Sequence, residues 1–352
     1  MTPTDNTAAA PATEAMPAPG TREVVVRCEG LTKEYDEITA LKALDLEILR
    51  GHVFGYIGHN GAGKTTTIRI LAGLLEPTRG RAEIAGEDVV ERRGAIKSLV
   101  GYMPDHFGVY DQMRVWEYLD FFGAAFRIPR RKRRDRIDYI LDVTDAEYMR
   151  DRFVDTLSRG MKQRVGIART LMHDPAVLLL DEPASGLDPQ ARVQMRKLLR
   201  RLADAGKTLL VSSHILPELA AVCDTIGIIH QGTLRASGPI DQVLSELHRD
   251  RLMEFRLHEG VERAAEVLRA EDACSQLDEA DAVQGLLRFR FSGDDAAMAG
   301  LLGRVAASAK VVTLREVPLS LEDAYMAISG LESEEEPELM EAPDEAAGAA
   351  KE

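Results

Sequence analysis

The sequence predicts an α/β protein: a mostly parallel sheet core with a helical subdomain, followed by a small α+β C-terminal domain. Three observations carry this. Short apolar runs, Val53–Ile57, Ala176–Leu180, Thr208–Val211 and Thr225–His230, alternate with helical segments. Strands apolar along their whole length suit a parallel sheet covered on both faces. The run Val53–Ile57 leads into a glycine-rich turn at Gly58 and then a helix expected over Thr65–Leu75. Past about Leu247 shorter strands alternate with amphipathic helices instead.

Taken in order, residues 1–20 are rich in Ala and Pro and read as a disordered tail. They have neither a basic start nor an apolar stretch, so no secretory signal is expected. A domain at 21–247 opens with strands expected at Glu23–Cys28 and Leu44–Ile48, then Val53–Ile57. Ala82–Ala85 and Leu99–Met103 add further strands, and about 105–172 reads as a mostly helical subdomain. The three later apolar runs follow, with helices expected at Gln190–Ala205 and Ile215–Val222. A domain at 248–330 reads as strand Leu252–Leu257, helix Val261–Ala270, strands Ser275–Leu277 and Leu286–Phe291, helix Asp295–Ala307, strand Val311–Glu316 and helix Leu321–Ile328. That order is compatible with a βαββαβ unit. Residues 331–352 hold nine acids, one lysine and no aromatics, and read as an acidic disordered tail. No internal repeat stands out.

The 352 residues carry 44 Lys+Arg against 58 Asp+Glu, a net charge of −14, with 45% apolar residues. The acidic balance disfavours a general nucleic-acid binder, which needs a basic surface. The two tails carry −8 and −2 of that charge, leaving −4 for the body. No apolar run approaches the roughly 18–20 residues needed to span a bilayer. Cys28, Cys223 and Cys274 are scattered and suggest neither a disulfide framework nor a metal site, but small buried residues in a reducing compartment.

Gly58-His59-Asn60-Gly61-Ala62-Gly63-Lys64-Thr65 fits the pattern GxxxxGK[ST] in full. Glycines let successive backbone N–H groups turn inward around phosphates. The helix that follows presents its positive end to the same anion. Lys64 is expected to reach the β- and γ-phosphates, and the Thr65 hydroxyl to bind Mg²⁺. This implies a nucleoside triphosphate and leaves the ATPase or GTPase family open. The run Val177–Leu180 ends in Asp181-Glu182. A buried strand ending in acids places them at the carboxyl edge of the sheet, where α/β proteins bind ligands. Asp181 reads as a Mg²⁺ partner through water, and Glu182 as the base that orients and deprotonates the attacking water.

Leu157-Ser158-Arg159-Gly160-Met161-Lys162-Gln163-Arg164 lies between these motifs. It resembles the LSGGQ signature of ATP-binding cassette (ABC) proteins, with Ser158 a candidate helix N-cap. Tyr35 matches the family's adenine-stacking aromatic. Ser185-Gly186-Leu187-Asp188 matches its D-loop, and His214 the switch histidine at the γ-phosphate. The resemblance covers about residues 22–240. It implies a P-loop NTPase ABC cassette that hydrolyses ATP with Mg²⁺. Two cassettes would pair head to tail, as a homodimer or with a second ABC cassette. Ser158 and Gly160 of one copy would then face the γ-phosphate held by Gly58–Thr66 of the other, with Asp188 coupling the sites. The pair would drive separately encoded integral-membrane permease subunits from the cytoplasmic face of the cell membrane. The run Ser320–Met326 resembles the end of exporter-type subunits.

Three positions depart from the family pattern. His59 stands where Pro is common, Arg159 and Met161 replace the first Gly and the Gln of LSGGQ, and Asp105 stands at the Q-loop glutamine. Asp105 still offers oxygen to Mg²⁺ but adds negative charge near the γ-phosphate. A basic run, Arg127, Arg130, Arg131, Lys132, Arg133, Arg134 and Arg136, admits three readings: a solvated helix face, a contact with anionic lipid headgroups, or nucleic acid. The resemblance favours the first two, and no stable nucleic-acid partner is expected. The rival to transport is a soluble ABC ATPase acting on ribosomes or DNA. One GxxxxGK[ST] motif and no sustained heptads weigh against it. A degenerate regulatory cassette is disfavoured by Glu182 and His214.

Overall fold

The computed structural model describes residues 23–317 apart from 107, 109, 111, 216–218, 220, 248–250 and 279–284. The tails and the helix expected at Leu321–Ile328 lie outside the described residues, as does much of the one at Ile215–Val222. The chain divides into two compact units, with the boundary between Val243 and Leu244.

The first unit holds two sheets rather than one. The larger has six strands in the order Thr233–Pro239, Thr225–His230, Val53–Ile57, Thr208–Ser213, Val177–Leu180 and Val100–Met103. All neighbours run parallel except the first pair. Every residue of Val53–Ile57, Val177–Leu180 and Thr208–Ser213 is buried. Each large apolar side chain so enclosed contributes roughly 1.5–3 kcal/mol. This matches the parallel core predicted from the continuous apolar runs.

The second sheet corrects that prediction in part. The segments expected at Glu23–Cys28, Leu44–Ile48 and Ala82–Ala85 belong to a separate antiparallel sheet, ordered Ile38–Leu49, Val24–Tyr35, Arg79–Ile84 and Glu87–Asp88. Val24–Tyr35 and Ile38–Leu49 form a long hairpin closed at Tyr35 and Ile38 and broken by register shifts. Tyr56, Phe54, Leu31, Leu44, Ile48 and Ile84 share one core between the sheets.

The glycine-rich turn leads into a helix at Lys64–Leu71, shorter than expected because Gly73 takes φ +67° just beyond its end. The predicted helical region contains helices Val115–Ala125, Arg130–Val143 and Arg159–Thr170 with two short 3-10 turns. The helix Pro189–Asp204 begins with proline at its first turn, where a missing N–H costs nothing.

The second unit carries an antiparallel sheet in the order Cys274–Asp278, Leu286–Phe291, Arg251–Glu259 and Lys310–Glu316, with helices Val261–Arg269 and Asp295–Ser308. Phe255, Leu257, Leu287, Phe289, Leu268 and Leu301 form its core. Buried Glu254 is bound by Arg288 at 2.9 Å and Arg315 at 2.6 Å, which together hold its carboxyl below the usual range against the opposing effect of burial.

Candidate functional site

Three neighbouring parallel strands end side by side, with Ile57 paired to Ser213 and Leu180 to Val211. Their carboxyl ends deliver Gly58–Thr66, His214 and Asp181-Glu182 to one edge of the sheet. The turn is packed tightly behind: a Cβ on Gly58 would stand 2.6 Å from the Ile229 carbonyl oxygen. Gly63 takes φ +113°, and its Cβ would stand 2.8 Å from the Ala40 oxygen. Both positions therefore require glycine.

Lys64 is only 6% exposed. Its Nζ donates to the carbonyls of Gly58 at 2.6 Å and His59 at 3.2 Å, and lies 3.3 Å from Glu182 Oε1. A buried ammonium needs such oxygens around it, because desolvation alone would cost several kcal/mol. The other Glu182 oxygen lies 2.7 Å from His214 Nδ1. The carboxylate thus joins the lysine of the turn to the histidine at the end of the neighbouring strand. Glu182 takes φ +50°, a left-handed conformation that costs roughly 1–2 kcal/mol outside glycine.

Ser212 explains how that conformation is held. It is fully buried. Its Oγ accepts from the Glu182 N–H at 3.0 Å and donates to Asp181 Oδ1 at 2.7 Å. One hydroxyl thus fixes the carboxylate of one acid and the backbone of the next. Asp105, just past the strand Val100–Met103, pairs through Oδ2 with His106 at 2.8 Å. Its Oδ1 is buried with no hydrogen-bond partner among the described residues.

His59, Asn60, Gly61, Gly63, Lys64, Thr65, Thr66, Asp105 and Glu182, with Ala40, line a cavity of about 200 Å³. Ala62 is buried behind it. Among the described residues no three His, Cys, Asp or Glu side chains cluster as a metal cage. The oxygen donors at the site, Thr65, Asp181 and Asp105, suit a hard cation such as Mg²⁺ that keeps water and phosphate oxygens in most of its shell.

A second cavity of about 310 Å³ shares none of these residues; it is lined by Ser158, Arg159, Gly160, Gly186, Leu187, Asp188 and their neighbours. Two helices begin here. Ser158 Oγ accepts from the Met161 N–H at 3.4 Å, and Asp188 Oδ1 from the Ala191 N–H at 2.8 Å. Both N-termini favour an anion. Arg159 packs on the D-loop: a Cβ on Gly186, which has φ +66°, would meet its guanidinium carbon at 2.6 Å.

Tyr35 stands apart at the end of its strand, 42% exposed, with Lys33 Nζ 5.1 Å from the ring centroid. Two members of the basic run have structural duties. Arg133 pairs with Asp120 at 2.8 Å, and Arg136 binds the Leu171 carbonyl at 2.6 Å and Asp174 at 3.0 Å. Arg127, Arg130, Arg131, Lys132 and Arg134 are exposed. The cysteines are free, and burial pushes the Cys28 thiol up to about 12, which makes it a poor nucleophile.

Sequence reasoning missed Ser212 and Ala40, and did not foresee that Arg159 touches Gly186. Ser212 lies two residues before His214, and a hydroxyl near the end of a largely apolar strand was the available signal. The contacts of Ala40 and Arg159 join segments distant in sequence and left no local trace.

The parallel sheet, the glycine-rich turn and the acids at the adjoining strand end define a nucleotide-binding protein of the P-loop class. Residues 41–185 match the family described as ABC transporter. An uncharacterized ABC transporter ATP-binding protein of Nostoc sp. is 40% identical over 213 residues, 59% of this chain and 62% of that one. The bacitracin transport ATP-binding protein BcrA of Bacillus licheniformis is 37% identical over 234 residues, 66% of this chain and 75% of that one. Among solved structures, cbiO1 of Clostridium perfringens, part of the ABC transporter complex cbiONQ, is similar with TM-score 0.59 and 29% identity, covering 63% of this chain and 91% of that one. The chain belongs to the ATP-binding proteins of the ABC transporter family. It spans about six tenths of the length of the Nostoc relative, 62%. No helix among the described residues is long and apolar enough to cross a membrane.

Proposed function

We propose that the protein is the ATPase subunit of an ABC transporter, working as a head-to-tail pair of cassettes on a separately encoded membrane permease. The observation that carries this is the Lys64–Glu182–His214 cluster at the sheet edge, in a cavity separate from the one that holds Ser158 and Asp188. Each chain has the two halves of a nucleotide site in different places, and two copies related head to tail would complete both.

In this reading the phosphates of ATP displace the carbonyls and carboxylate that now surround Lys64. Thr65 and Asp181, with Asp105, hold Mg²⁺, whose charge offsets that of the phosphates. Glu182, freed from Lys64, takes a proton from the attacking water, and His214 contacts the γ-phosphate. Tyr35 stacks on adenine. Ser158 and Gly160 close on the γ-phosphate from the second copy, and Asp188 links the two sites. The cassette comprises 21–247 and the C-terminal domain 248–330, flanked by the two tails. The permease brings the pair to the cytoplasmic face of the cell membrane, where the exposed part of the basic run meets anionic headgroups. The names of relatives, a Nod factor export protein and a bacitracin transport protein among them, favour export. The test is sedimentation of the Glu182→Gln protein. ATP with Mg²⁺ should convert it from monomer to dimer, and a chain that stays monomeric refutes the pairing. Co-purification with its neighbouring membrane protein tests the permease.

A further inference from the structure

The two cavities carry unbalanced charge at the very positions where this chain departs from the family pattern. In the phosphate-side cavity, Asp105 adds a second carboxylate beside Glu182, against the single Lys64. One Asp105 oxygen is buried without a hydrogen-bond partner among the described residues. Unless a cation offsets it, that acid repels an incoming triphosphate. In the other cavity, Arg159 brings a guanidinium to the rim beside Ser158 and Gly160. It is exposed, and forms no ion pair among the described residues. Its place is fixed by packing on Gly186 rather than by an acid.

We propose that Asp105 of one copy and Arg159 of a second copy form an ion pair at the rim of the shared nucleotide site. The inference rests on the head-to-tail reading above, which sets these two cavities face to face. Within one chain Asp105 meets only His106, and Arg159 meets no acid among the described residues; across two copies the two charges cancel. The pair forms only when the cassettes meet, so removal of the repulsion from Asp105 is coupled to closure. It also selects the partner. A cassette with a neutral residue at the Asp105 position leaves Arg159 unmatched, so a second copy of this chain is preferred.

A mixing experiment tests this in the full-length Glu182→Gln protein with ATP and Mg²⁺, reading dimer formation by sedimentation. Asp105→Arg alone sets arginine against arginine at both sites, and Arg159→Asp alone sets acid against acid. Each should weaken dimerisation by about tenfold or more. An equimolar mixture restores one opposite-charge pair at each site and should recover dimers to within about threefold of the parent. Thermal melting of each variant checks that it folds. The milder set, Asp105→Asn, Arg159→Gln and both together, should show a double variant no worse than either single one. If the parent dimerises but the mixture gains nothing and the milder set is additive, the ion pair is wrong. If the parent itself stays monomeric, the dimer reading falls and takes the pair with it.

Discussion

The phosphate-side cavity and the signature cavity are built from similar materials but finished to different degrees. In the first, Lys64, Glu182, Asp181 and Ser212 are largely buried and make ion pairs and hydrogen bonds among themselves, although Glu182 Oε1, 3.3 Å from Lys64 Nζ, has no hydrogen bond among the described residues. In the second, Ser158, Arg159 and Asp188 are exposed, and their interactions are caps and packing within their own chain. One half is organised before anything binds, whereas the other offers helix ends and a cation outward. On the proposed head-to-tail pairing, a site divided this way suits a step that waits for a second body: binding would belong to the finished half, and commitment to the meeting of both.

The sharpest way to break that division is Glu182→Gln, which should lower ATP turnover by about 10²–10⁴-fold while ATP affinity persists. Steady-state phosphate release and equilibrium binding check it, and wild-type turnover would remove Glu182 as the base. Ser212→Ala should come next. It strips a partner from buried Asp181 and from the Glu182 N–H, at a cost of about 1–3 kcal/mol in stability. Denaturant unfolding should show that loss, and an unchanged midpoint would mean that Ser212 does not organise the acids. Ser158→Ala should reduce turnover by about tenfold but leave the affinity of the monomer for ATP within about twofold. If both fall together, the two cavities are not separable in function. Asp105→Gln should keep ATPase activity and shift the half-maximal Mg²⁺ concentration by about threefold, because ligand charge sets cation affinity. Superimposable Mg²⁺ titrations would refute it.

The smallest effect lies away from both cavities. His173 is mostly buried, and desolvation holds its pKa below 6.5. Its Nε2 lies 2.9 Å from the Val100 carbonyl, and its buried Nδ1 has no partner among the described residues. The folded protein therefore keeps the ring neutral where the unfolded chain is protonated. The sign follows: this stability is complete above about pH 6.5 and is lost as pH falls through the folded value. His173→Gln should flatten the acid side of the melting curve by about 2 °C, and parallel curves would show that the histidine is not responsible.

How much was legible from sequence follows the range of each interaction. The phosphate turn could be read because glycines, lysine and threonine within eight residues do one job together. Asp181 and Glu182 could be read because a wholly apolar strand stops at them. The antiparallel sheet could not be separated from the parallel one. Its hairpin strands carry register shifts, and Ala43 takes φ +49° within one of them, which blurs the alternation. The strand Thr233–Pro239 was hidden by its Ser-Gly-Pro end. What Ser212 binds was not legible for another reason. Its partners are reached across a parallel strand pair, between residues about thirty apart in the chain.

The strand order has a consequence for the birth of the protein. The strand that leads to Lys64 is flanked by Thr208–Ser213 and Thr225–His230, both made much later. A nascent chain displays its phosphate turn long before the strands that shape it exist. About 150 residues separate Lys64 from His214, and at translation rates of about 5–20 residues per second the wait is roughly 8–30 s. For most of that interval the turn lacks its carboxylate, and for all of it its histidine, so on the proposed mechanism the growing chain cannot hydrolyse ATP before both strand ends are made.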